Sequence, residues 1–209
     1  MIKAVIFDMD GVLIEAKEWH YEALNKALNL FGYNINRYDH LTKFDGLPTK
    51  DKLNILSAEY SLPRELHSFI NEMKQHYTME IVHTKCKPLF IHEYALSRLK
   101  SEGLLLAVAS NSIKNTVTTM MEKASLSQYL EVMLSNEDVK KGKPDPEIYT
   151  KAISFLGLKP EECVVVEDNE NGIKSATAAG ANVLVVHDVS DVTYRNIKAY
   201  IDSVSGEIM

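Results

Sequence analysis

The chain has 209 residues, 45% of them hydrophobic, and 23 Lys+Arg against 29 Asp+Glu give it a formal charge of -6. That length and apolar share suit a packed globular protein, either one ordinary domain or a core domain with a small insertion, and exclude a disordered chain. The acidic balance offers no basic field for nucleic acid or for an anionic membrane surface, so a phosphate-bearing ligand would need a locally built anion site.

Cys86 and Cys163 lie far apart in a chain large enough to fold without staples, and read as free thiols of a reducing compartment. No apolar run approaches the roughly 20 residues of a membrane span, and no basic, apolar leader precedes the first strand; the expected location is the cytoplasm. The first stretch, Ile2 to Phe7, is too short for a useful helix and rich in β-branched residues, which predicts a strand buried on both faces. It ends in Asp8-Met9-Asp10-Gly11. Ligands of open α/β sheets bind at that edge. Two like charges so close beside a buried strand call for a cation or a perturbed protonation state.

Beyond Leu13, Trp19, Ala23, Ala27 and Leu30 recur three or four apart, predicting an amphipathic helix from about Lys17 to Phe31 that Gly32 ends. Tyr38 to Lys50, with Gly46 and Pro48 amid polar residues, reads as a loop. Leu53, Leu56 and Tyr60 then predict a helix from Asp51 to Tyr60, and Pro63 opens another that carries Leu66, Phe69, Ile70, Met73 and Tyr77. Residues 16–82 are thus expected to form a helical insertion, with residues 1–15 and 83–209 as the core around it.

A helix from Pro88 to Glu102 leads into a strand at Leu104–Ala109, which ends in Ser110-Asn111-Ser112. Further strands are expected at Glu131–Leu134, Cys163–Val166 (stopping at Glu167-Asp168) and Val183–Val186. Helices fall between them: one carrying Val117, Met120 and Met121, then Pro146–Leu156 and Gly172–Ala179, and a last one with a frayed tail in Asp191–Met209. Strands that end in polar residues and alternate with helices predict an α/β fold, a Rossmann-like parallel sheet with right-handed crossovers and an inserted small α-helical domain.

A parallel sheet puts all its strand ends on one edge, so Asp8, Asp10, Ser110 and Glu167-Asp168 should converge there. Oxygen ligands without a His or Cys cluster suit a hard cation, Mg²⁺ above all. One carboxylate can attack phosphorus while a second protonates the leaving oxygen and later deprotonates water, and Asp8 and Asp10 fit those roles. Lys143, in Lys140-Lys141-Gly142-Lys143-Pro144, and Ser110 can stabilise a transferring phosphoryl group.

These residues, in this order, resemble the four motifs of the haloacid dehalogenase-like superfamily, in the branch with a helical cap inserted after the first strand. Asp8-Met9-Asp10-Gly11 matches the first motif, Ser110-Asn111 the second, Lys143-Pro144 the third, and Glu167-Asp168-Asn169 with Gly172 the fourth. The resemblance implies a metal site made from the Asp8 side chain, the Asp10 backbone carbonyl and Asp168, with Glu167 either a ligand or a partner of bound water. It makes Asn111 a candidate for substrate binding. It also implies that a cap loop chooses the substrate; Phe44-Asp45-Gly46-Leu47-Pro48-Thr49-Lys50 resembles that loop, with Gly46, Thr49, Lys50 and the nearby His20 as candidate contacts, and Ser112 is a further candidate.

The expected reaction is Mg²⁺-dependent hydrolysis of a small phosphorylated metabolite, a sugar or polyol phosphate, through an aspartyl-phosphate, by a monomer or weak dimer. The alternative is a sugar phosphomutase of the β-phosphoglucomutase type. Such mutases typically carry an arginine in the cap loop where this chain has Thr49 and Lys50. A non-catalytic binding protein is a third reading, against which Asp8, Asp10, Lys143 and Asp168 all stand intact.

Overall fold

Five short apolar runs pair into one parallel sheet in the computed structural model, which describes residues 1–44 and 47–206. The strands are β1 (Ala4–Phe7), β2 (Leu105–Ala109), β3 (Val132–Leu134), β4 (Cys163–Glu167) and β5 (Asn182–Val185), arranged β3-β2-β1-β4-β5. The helices are α1 (Lys17–Asn29), α2 (Arg37–Thr42), α3 (Thr49–Tyr60), α4 (His67–Lys85), α5 (Phe90–Ser101), α6 (Lys114–Lys123), α7 (Glu147–Phe155), α8 (Glu170–Ala178) and α9 (Tyr194–Ser205). The chain divides into two units, Met1–Glu15 with Cys86–Met209, and Ala16–Lys85.

In the sheet unit, Phe7 lies level with Val108 on β2 and Val166 on β4. The ends of the three central strands therefore reach the same edge, with β1 as the switch point from which the order runs both ways. β1 is buried along its whole length, as a strand covered on both faces must be. Ala4, Ile6, Ala107 and Val165 share one face with Ile148, Tyr149 and Ala152 of α7. Each fully buried large side chain of this kind contributes about 1.5–3 kcal/mol.

In the helical unit the apolar positions of α1, α3 and α4 meet: Leu24 and Leu28 pack with Leu53, Leu56, Ile70 and Phe44. Gly32 adopts φ +78°, the left-handed conformation that closes the first helix two residues earlier than the spacing indicated.

The expected loop from Tyr38 to Lys50 instead contains α2 and the start of α3. Asn36 initiates α2 by accepting from the Asp39 N–H, and Pro48 directly precedes Thr49, the first residue of α3. Gly46 lies outside the described residues, as do residues 207–209. α4 continues to Lys85, past the expected end of the helical insertion at residue 82. Glu167 does not stop β4 but belongs to it, paired with Val185, because its buried carboxylate finds partners. Both cysteines are buried and free. No helix among the described residues is long and apolar enough to cross a membrane.

Candidate active site

The turn after β1 is built around Met9, whose carbonyl accepts from the N–H groups of Val12, Leu13 and Ile14 at 3.3, 3.0 and 2.9 Å. Gly11 sits at φ +94° within it, a conformation costly for any residue with a Cβ. Asp8 is anchored beside β4 by its N–H to the Val166 carbonyl, 3.0 Å. Ser110 is tied in the same way to β3, through the Leu134 carbonyl at 3.0 Å. The sheet register thus carries Asp8, Ser110 and Glu167 to one edge, as the sequence predicts.

Lys143 crosses that edge as a buried cation. Its Nζ donates to Asp8 Oδ1 at 2.6 Å and to Glu167 Oε1 at 2.7 Å. An ammonium has three donors, so one remains for a ligand. The Lys143–Pro144 peptide is cis. Asn111 holds the Lys143 backbone from both sides: its Oδ1 accepts from the Lys143 N–H at 3.0 Å, and its Nδ2 donates to the Lys143 carbonyl at 3.3 Å. The amide expected to meet substrate is therefore engaged with Lys143. Gly142 makes room for it, since a Cβ there would lie 2.7 Å from Asn111 Oδ1.

Glu167 is fully buried and receives four donors: Lys143 and the Tyr149 hydroxyl (2.5 Å) on Oε1, and the Asp168 N–H (3.1 Å) and Asn169 Nδ2 (3.3 Å) on Oε2. Asn169 does double duty, because its Oδ1 accepts from the Gly172 N–H at 3.0 Å and so starts α8 at Glu170, before the expected Gly172. Gly172 itself is demanded by close approach: a Cβ there would stand 1.8 Å from Glu167 Oε1. Ser112 donates from Oγ to Asp10 Oδ2 at 2.9 Å and from its N–H to Ser110 Oγ at 3.0 Å. The Ser110-Asn111-Ser112 loop thereby touches Asp10 and Lys143 together.

Burial, then the charges of Glu167 and Asp10, push the Asp8 carboxyl well above the usual range, with Lys143 opposing them. Burial works against the Lys143 charge as well, but Asp8 and Glu167 outweigh it and hold its pKa above the ordinary value. Burial and the carboxylates of Glu167 and Asp8 raise the Tyr149 phenol well above its ordinary value, which keeps it a donor. The Lys143 ammonium is shared between the carboxyl groups of Asp8 and Glu167. Asp8, Glu167 and Asp168 bring one oxygen each within 4.8 Å of one another. This all-oxygen, electron-rich donor set fits a hard divalent cation, whose charge would reverse the upward push on Asp8.

The other candidates belong to the helical unit. His20 lies on α1 with Nδ1 3.2 Å from Nζ of the buried Lys74. Thr49 and Lys50 open α3, Lys50 exposed. The sequence reading assigned nothing to Tyr149 and did not single out Ser112 as a partner of Asp10. Tyr149 carries no separate signal, since at helical spacing among apolar residues it looks like any core aromatic.

The model of the haloacid dehalogenase-like hydrolase family matches residues 5–186. A phosphorylated carbohydrates phosphatase of Thermotoga maritima is 32% identical over 195 residues, covering 91% of this chain and 88% of that protein. A phosphoglycolate phosphatase of Aquifex aeolicus is 29% identical over 181 residues, covering 86% and 82% respectively. Among solved structures, a β-phosphoglucomutase from Clostridium difficile superposes with a TM-score of 0.83 at 24% identity, over 98% of this chain and 100% of that one, which shows the shared fold. With the four motifs gathered at one sheet edge and this match spanning most of its length, the chain belongs to the haloacid dehalogenase-like hydrolase family.

Proposed function

We propose that the protein is a Mg²⁺-dependent phosphatase of small phosphate monoesters, sugar or polyol phosphates, acting through an aspartyl-phosphate. The observation that carries this reading is Lys143, which bridges Asp8 and Glu167 at 2.6 and 2.7 Å beside a cluster of carboxylate oxygens suited to a metal ion. The substrate class is supported by the phosphatase relatives, chiefly the protein from Thermotoga maritima.

Asp8 attacks phosphorus through a carboxylate oxygen as the bond to the leaving oxygen breaks. Asp10 gives its proton to that oxygen, releasing an alcohol. The Asp10 carboxylate then takes a proton from water, the resulting nucleophile attacks the aspartyl-phosphate, and Asp8 leaves as a carboxylate with inorganic phosphate as product. Ser112 orients Asp10 through the 2.9 Å hydrogen bond. Lys143 and Ser110 hold the phosphoryl oxygens. Asp8 and Asp168, with the Asp10 carbonyl, would hold Mg²⁺, which when bound neutralises phosphoryl charge. Asn111 serves by fixing Lys143. The helical unit acts as the cap, where Gly46, Thr49, Lys50 and His20 choose the leaving group.

The test is phosphate release from a monoester panel with Mg²⁺, in wild type and Asp8→Asn. Release by the wild type and its loss by at least about a thousandfold in the variant support the reading. No release from any substrate overturns it. Isomerised product that depends on a sugar bisphosphate, with little free phosphate, would make the protein a mutase.

A further inference from the structure

The Tyr149 hydroxyl takes no part in the steps above, yet it is wholly buried against the residues that do. The other buried residues of α7, Ile148, Ala152 and Ile153, are apolar and pack on the sheet. Phenylalanine would fill the same space in that core, so packing does not ask for an oxygen. The oxygen instead donates to Glu167 Oε1 at 2.5 Å, the atom to which Lys143 Nζ donates at 2.7 Å. The ring lies against the same ammonium, with Nζ 4.7 Å from its centroid. One side chain therefore touches Lys143 through its face and the carboxylate partner of Lys143 through its hydroxyl.

A carboxylate offers about four acceptor positions, and protein donors already account for that many on Glu167. Removing the phenol would open a position on Oε1 of a carboxylate that brings one of its oxygens within 4.8 Å of oxygens of Asp8 and Asp168. A cation in that cluster would then compete with Lys143 for Glu167. We propose that Tyr149 is a positioning residue whose hydroxyl keeps Glu167 committed to Lys143 rather than to the metal, leaving the third Lys143 donor for the phosphoryl group. This rests on the phosphatase reading above, whose failure would show in the wild type, as no phosphate release, and would take this proposal with it.

Given an active wild type, the experiment is Tyr149→Phe, with kcat measured at saturating Mg²⁺ and Mg²⁺ affinity measured by calorimetry on substrate-free protein. The expected result is a kcat lower by about tenfold, with Mg²⁺ bound as tightly as in the wild type or more tightly. An unchanged kcat overturns the proposal. So does Mg²⁺ binding that weakens in step with kcat, which is what general loosening of a buried site would produce. If Tyr149→Phe folds poorly, 3-fluorotyrosine at position 149 keeps the ring and alters only donor strength; a changed kcat at unweakened Mg²⁺ affinity supports the proposal, and an unchanged kcat or weakened Mg²⁺ binding overturns it.

Discussion

The two units differ in where the groups tied to chemistry lie. At the strand ends of the sheet unit Asp8, Ser110, Lys143 and Glu167 are all nearly inaccessible and Lys143 ties Asp8 to Glu167, while the outer surface of the same unit carries exposed pairs such as Lys174–Glu170. The helical unit leaves most of its charges at the surface, in exposed pairs such as Lys26–Glu80, Arg37–Glu18 and Lys85–Glu22. Water screens such surface pairs and they contribute little, whereas breaking a buried pair strands an uncompensated charge. The sheet unit is accordingly intolerant of change around its chemistry. Surface residues of the helical unit can vary without disturbing its apolar core, which suits the substrate-choosing role proposed for it.

Gly172→Ala tests the intolerant side most severely. The new Cβ would stand 1.8 Å from Glu167 Oε1, and the Glu167 carboxylate cannot swing away without giving up Lys143 and Tyr149. We expect kcat/KM to fall by about a thousandfold, read by steady-state kinetics, and thermal unfolding to report a loss of about 2–4 kcal/mol. Activity within about threefold of wild type would mean that the Glu167 frame is dispensable.

Asn111→Ala comes next. It leaves Lys143 in place but removes both hydrogen bonds to its backbone. The expected outcome is a kcat lower by about thirtyfold, with KM changed little, because the lost contact orients a catalytic group rather than binding substrate. A raised KM with kcat intact would return Asn111 to the substrate-binding role that its motif implies.

The helical unit predicts a smaller and more selective effect. Lys50→Ala removes an exposed side chain at the start of α3. It should raise KM by about threefold for some leaving groups and leave kcat unaltered. Comparison of kcat and KM across the monoester panel checks this, and a uniform loss for every substrate would count against selectivity in this unit.

What was legible in the sequence follows the same division. Asp8, Asp10, Ser110 and Glu167-Asp168 stand where apolar runs stop, and strand ends of a parallel sheet share an edge, so their convergence needs no coordinates. The partners of these residues were not legible. Ser112 meets Asp10 across 102 positions and Asn111 meets Lys143 across 32, pairings set by strand order and by loop geometry. Tyr149 is hidden for a different reason, since its ring satisfies the apolar pattern of α7 and the pattern says nothing of its hydroxyl. In the helical unit, α2 spans only six residues, too few to show a helical period, so composition alone made it a loop.

The mildest test concerns the frame of the sheet unit. His92 on α5 is buried, with Nε2 donating to the Val189 carbonyl at 2.7 Å. Burial lowers its pKa below the ordinary 6.5, and the carbonyls of Val189 and Leu13 oppose that shift only in part. The unfolded chain thus binds a proton near pH 6.5 that the folded chain binds only at lower pH. Stability from this site is complete above the unfolded value and is lost as pH falls through it toward the folded one, at up to about 1.4 kcal/mol per pH unit. Denaturant unfolding at pH 7.5 and 5.5 should show this loss, and His92→Gln, which keeps a donor for Val189 but cannot titrate, should flatten it. An equal acid slope in both proteins would mean that His92 does not carry the pH sensitivity.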